Sequence, residues 1–132
     1  MHDVKQAYHH KDLRNALVDE AIAMLADGGT SNVTLRELAR RLGVTHTAPY
    51  AHFADKKALL EVVADAGFQR LHEVLLAARM RANDPVSAFE AMGFAYVQFA
   101  RDNPNWYRLM FADPELSQSA LWVYPSGQEA FT

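Results

Sequence analysis

Cysteine is absent from the 132 residues, which rules out disulfides and thiolate-held metals. No apolar run approaches the ~20 residues needed to cross a bilayer. The N-terminal stretch MHDVKQAYHHKDLRNA lacks the apolar core of a secretory signal. There are no repeats or low-complexity tracts, and no segment alternates polar and apolar residues as a strand would. Glycine-rich phosphate loops, nucleophile motifs and paired acids flanking a cleft are missing too. The chain therefore offers no basis for catalysis or for a cofactor, and the expectation is a soluble, cytoplasmic protein that is not an enzyme.

What is present is helical pattern. Half of the residues are hydrophobic and 22% are charged, the balance of a folded domain. Leu13, Leu17, Ala21, Met24 and Leu25 recur at helical spacing between Lys11 and Asp27, and Gly28-Gly29 stops that helix. Thr34-Leu35-Arg36-Glu37 is a capping box opening a second helix with Leu35, Leu38, Ala39 and Leu42 inside. Gly43 ends it, Val44 turns inward, and Thr45 is placed to cap a short third helix. Asp55 caps a longer helix reaching about Arg81, with Leu59, Leu60, Val63, Gly67, Leu71, Val74 and Leu75 inward. Asp84-Pro85 starts the next, which runs to about Asp102, and a further short helix spans Asn105 to Ala112. Asp113-Pro114 opens one more, and the end YPSGQEAFT consists of turn residues. The fold class is all-α: an N-terminal three-helix bundle with a helix-turn-helix over 1–54, then a further helical domain over 55–132, whose ligand-binding or dimerisation role is only what the family resemblance given below implies.

The third helix is unusual because Thr, His and Tyr stand where aliphatics would fill a core. Net charge is −3, yet residues 34–57 hold Arg36, Arg40, Arg41, Lys56 and Lys57 against only Glu37 and Asp55. Residues 58–132 are acidic instead, with five basic side chains against nine carboxylates. A basic footprint beside an exposed polar helix points to double-stranded DNA. In a helix-turn-helix the second helix enters the major groove by its N-terminal part. His46 and Thr47 are then the base readers, through imidazole hydrogen bonds and methyl contact with thymine. Tyr50 and His52 face a phosphate strand, and Arg36 and Lys56 clamp the flanking phosphates. The plain alternative is a solvated helical hairpin, a common motif, and Pro49 speaks for it by removing a donor inside the third helix.

The segment LRELARRLGVTHTAPYAHFADKKALL resembles the helix-turn-helix signature of the TetR family of bacterial transcriptional regulators. The likeness rests on Ala39, Gly43, Val44, the Tyr50-x-His52-Phe53 block and Lys56 with Leu59-Leu60. Pro49 departs from it, standing where many members carry an aliphatic residue. FAYVQFARDNPNWYRLMF resembles the start of the WHG-type C-terminal domain found in one subgroup. The resemblance implies DNA contacts at Arg36, Thr45, His46, Thr47, Tyr50, His52 and Lys56, and a homodimer reading a palindromic operator, most often as a repressor. It also implies a small-molecule effector, for which Phe68, Met92, Tyr96, Phe99 and Met110 are pocket candidates; plain core packing is the competing account of the same residues. Family members continue with helices that build the dimer, and this chain ends about where those begin, so the expectation is either a truncated product or a different mode of dimerisation. A reading of another class is a helical interaction or ligand-binding module with a head that no longer binds DNA. His2, His9 and His10 form no ligand set, and the expectation for them is an unstructured tail without metal.

Overall fold

Between His2 and Asp27 there is neither glycine nor proline, and nothing interrupts helix formation until Gly28. The computed structural model describes the backbone of residues 2–111 and the side chains from residue 12; Met1 and residues 112–132 lie outside it. Five α-helices are described: α1 (His2–Gly28), α2 (Leu35–Leu42), α3 (Lys56–Arg81), α4 (Pro85–Asp102) and α5 (Pro104–Phe111). Short 3-10 turns cover Thr30–Asn32 and Ala48–Ala51, and the described residues contain no strand. The all-α class holds. The start of α1 corrects the expected unstructured tail, since the backbone is helical from His2. The expected helix opening at Asp113-Pro114 and the terminal YPSGQEAFT lie outside the described residues.

The helix boundaries follow local chemistry. Thr34 accepts a hydrogen bond from the Glu37 amide at 3.1 Å, half of the expected capping box. The reciprocal half is missing because the Glu37 carboxylate turns to Arg40 and Arg41 instead. Asp55 caps α3 through the Ala58 amide at 2.8 Å, and Asp84 caps α4 through the Ser87 amide at 2.9 Å with Pro85 behind it. Gly43 closes α2 at φ +67°, its amide bonded back to Ala39 and Arg40 carbonyls. A Cβ there would meet no neighbouring atom, so the cost of a side chain is conformational alone. Gly43→Ala is expected to destabilise the protein by about 1 kcal/mol through the left-handed backbone, read as a lowered urea midpoint.

The chain forms two compact units, Met1–Val63 and Ala64–Thr132, and the division falls inside α3. In the first, Leu17, Met24 and Leu25 of α1 are buried, as are Leu35, Leu38 and Ala39 of α2. Leu59, Leu60 and Val63, from the first two turns of α3, are buried with them. Asn32 fastens the first turn by donating to the Met24 carbonyl at 2.8 Å. In the second unit Phe68, Leu71, Leu109 and Met110 are sealed, and Phe68 meets Phe111 edge-on at 5.1 Å.

Candidate nucleic-acid interface

The expected third helix is a single 3-10 turn, Ala48–Ala51, and Thr45 does not cap it. The N-cap position is Thr47, which makes no side-chain cap bond; the Thr45 hydroxyl lies 3.4 Å from that of Thr47. Proline disfavours helical backbone in the residue before it and donates no amide, so a regular helix has little length in which to develop. The turn is held by backbone bonds from Ala48 to the Thr45 carbonyl, and from His52 and Phe53 to the Pro49 carbonyl.

Pro49 is the residue that sequence reasoning misjudged. It is fully buried and, with Phe53 at 2% exposure, anchors the turn inside the head. The spacing of these two apolar residues, one helical turn apart, was the available signal. Arg14 of α1 lies over the Phe53 ring at 5.2 Å and covers the same anchor from outside. With Pro49 and Phe53 inward, Thr45, His46, Thr47 and Tyr50 are left exposed together, Tyr50 at 56%. All four are hydrogen-bonding side chains, and Tyr50 and the two threonines add apolar surface.

His52 is brought only partly into this set. It is half-buried and its Nε2 is closed to solvent.

The basic cluster divides in two. Arg40 donates to Glu37 at 2.6 Å, and Arg41 bridges Glu37 at 3.3 Å and Glu20 of α1 at 3.1 Å. The Arg40 hydrogen bond, with Arg41 assisting, holds the Glu37 carboxyl down at about 2. A carboxyl with a lowered folded-state pKa stabilises the fold above the ordinary carboxylate range, and that contribution fades as pH falls towards 2. Arg40 and Arg41 are therefore engaged within the fold. Arg36 and Lys56 have no ion pair or hydrogen bond among the described residues, which leaves them available to a polyanion. The amide donors at the start of α3 are only partly available, because Asp55 already occupies that of Ala58.

Among the described residues, the five effector-pocket candidates fall in different surroundings. Phe68 and Met110 expose nothing and are core residues. Phe99, 5% exposed, borders an open groove of about 380 Å³ with Arg70, Glu73, Arg81 and Asp102, and packs against Trp106 at 5.9 Å. Met92 borders a separate open depression with Pro85 and Phe89. Tyr96 shares a 3.0 Å hydroxyl hydrogen bond with Tyr107, and burial, reinforced by that bond, pushes its pKa up to about 12. The hydroxyl stays protonated across the physiological range.

Residues 17–63 match the family model described as bacterial regulatory proteins, tetR family. The match ends at the residue where the first compact unit ends. A helix-turn-helix-type transcriptional regulator of Haemophilus influenzae is 34% identical over 118 residues, covering 88% of this chain and 57% of that protein. A Rhodococcus protein of unknown function is similar in structure, with a TM-score of 0.73 and 32% identity over 89% of this chain and 61% of that one. A TetR family transcription regulator from Marinobacter aquaeolei has a TM-score of 0.66 at 16% identity, covering 96% of this chain and 68% of its own, a likeness of fold. The chain thus spans about 57% to 61% of the length of its more similar relatives.

Proposed function

The chain belongs to the tetR family of bacterial regulatory proteins through residues 17–63, and from that premise we propose that it binds double-stranded DNA as a transcriptional regulator. The observation that carries this reading is the exposed set Thr45, His46, Thr47 and Tyr50 on a turn nailed inward by Pro49 and Phe53. Exposed polar side chains on a rigid mount suit base and phosphate contacts, since direction must be held for a base edge to be told from its neighbour. A 3-10 turn in place of a full helix shortens the reader to its first residues, those which in a helix-turn-helix enter the groove.

His46 and Thr47 read bases in this proposal. Tyr50, Arg36 and Lys56, with His52, hold the phosphate strands. Two such heads read a palindromic operator, and a protein seated on an operator within a promoter blocks transcription, so the regulation has the sign of repression. Release by a small molecule would have to be met by Met92, Tyr96 and the rim of Phe99, because Phe68 and Met110 have no exposed surface.

The test is selection of bound sequences from a random DNA pool, repeated with His46→Ala. Enrichment of a half-site or palindrome whose preferred bases shift in the variant is the expected result. An unenriched pool, or one identical for both proteins, would sink the reading.

A further inference from the structure

We propose that Arg14, on α1, is a further phosphate-binding residue of the head, held for that contact by the ring of Phe53. The inference deepens the DNA-binding reading and rests on it. Arg14 lies outside the basic window of residues 34–57, and no count of charge along the chain groups it with them. The fold does so. Its guanidinium carbon stands over the Phe53 ring, 5.2 Å from the centroid. Phe53 comes three residues after Tyr50 and three before Lys56, so Arg14 reaches the stretch of chain that carries both.

What holds Arg14 decides what it is free to do. Arg40 and Arg41 give N–H donors to the carboxylates of Glu37 and Glu20, which offset their charge. Arg14 is held by an aromatic face instead, and among the described residues it has no ion pair or hydrogen bond. A ring attracts the cation through its quadrupole but carries no charge to cancel it. All five guanidinium N–H donors stay available to an oxygen acceptor. An acid on α1 would compete from three or four residues away, and those positions are His10, Lys11, Leu17 and Val18. Asp12 and Asp19, two and five residues away, lie around other sides of the helix.

Phe53 is itself fixed. It is buried in the head, and its amide donates to the Pro49 carbonyl at 3.0 Å. The guanidinium therefore has a firm seat beside the turn that presents Tyr50. A cation already held in place gives up less freedom on meeting a phosphate than one free in solvent. A guanidinium also offers two parallel donors to phosphate oxygens, a geometry that an ammonium lacks. Arg14 thus adds a third cation to Arg36 and Lys56, on the phosphate strand served by Tyr50.

The experiment is an anisotropy titration of a fluorescein-labelled duplex of scrambled sequence with the 132-residue chain, over a salt series. The native chain sets the reference slope of log affinity against log salt. Arg14→Met removes the charge but keeps an apolar cover on Phe53 through a sulfur–aromatic contact. It should lower the slope by about 0.9 for each bound head, the share of one phosphate. Affinity at low salt should fall about tenfold, as for a lost hydrogen bond to a charged group. Arg14→Gln should do the same. Arg14→Lys keeps the charge and should hold the native slope, with an affinity a few-fold lower for want of the second donor. Urea unfolding of each variant separates this from a role in the fold. Propping Phe53 alone would move the urea midpoint and leave the slope where it was. An unchanged slope in both neutral variants therefore overturns the proposal and leaves the DNA-binding reading standing. A native chain that binds no duplex at low salt overturns that reading, and this proposal with it.

Discussion

Replacing Arg36 and Lys56 together by alanine is expected to weaken binding to every DNA sequence about equally and to flatten its salt dependence. Phosphate contacts release condensed counterions, and each one lost should reduce the slope of log affinity against log salt by about 0.9. Two lost contacts per head therefore lower the slope by about 2. A hydrogen bond to a charged group contributes about 1.5–3 kcal/mol, so each substitution should cost tenfold or more at low salt. The choice of these two cations follows from the structure, since Arg40 and Arg41 are held by Glu37 and Glu20.

The same geometry predicts the opposite sign elsewhere. Glu37→Gln should release Arg40 and strengthen binding to all sequences, with a steeper salt slope. An anisotropy titration against operator and scrambled DNA at several salt concentrations measures all of this. Unchanged slopes in the double alanine variant would remove Arg36 and Lys56 from the interface.

This partition of charge marks the limit of what the sequence made legible. Caps and stops are legible because they are local: Thr34, Gly43, Asp55 and Asp84-Pro85 each act within a few residues of their own position. The spacing of Glu37 to Arg40 and Arg41 was equally local, and i, i+3 and i, i+4 pairing was its signal. A count of nearby charges registers all five cations as a footprint, whereas pairing holds Arg40 and Arg41 back. The Glu20–Arg41 bridge joins α1 to α2 across 21 positions and has no sequence signature. Pro49 shows the same limit from the other side. Its lack of an amide is a property of the residue, but its burial depends on how the turn sits in the head. The exposed character of Thr45, His46, Thr47 and Tyr50 was legible from their polarity. The helical form of their segment was not, because a single turn has too few residues for periodicity to show.

Phe68→Ala is expected to destabilise the second unit by about 3–5 kcal/mol, the range for deleting a buried aromatic side chain. Phe68 has no exposed surface and stacks edge-on with Phe111. Relaxation cannot fill the cavity cheaply, because the helices beside it already touch at their closest. A Cβ on Gly67, the preceding residue, would fall 2.5 Å from Met110 Sδ and 2.7 Å from Trp106 Nε1. Met110 is itself sealed, so α3 and α5 are in contact over a surface with no slack. A core role and a ligand-wall role predict different results. If Phe68 belongs to the core, the loss appears in urea unfolding of the ligand-free protein and persists whatever small molecule is added. If it lines an effector site, the ligand-free protein should tolerate alanine with a loss below about 1 kcal/mol, the cost typical of surface changes. Since a domain's whole stability is about 5–15 kcal/mol, a loss of about 3–5 would remove a large share of this unit's margin. Tyr96→Phe, which removes a hydroxyl and its 3.0 Å bond to Tyr107 but almost no volume, supplies the contrast within the same set of candidates. Its expected loss is about 1 kcal/mol, that of one neutral hydrogen bond.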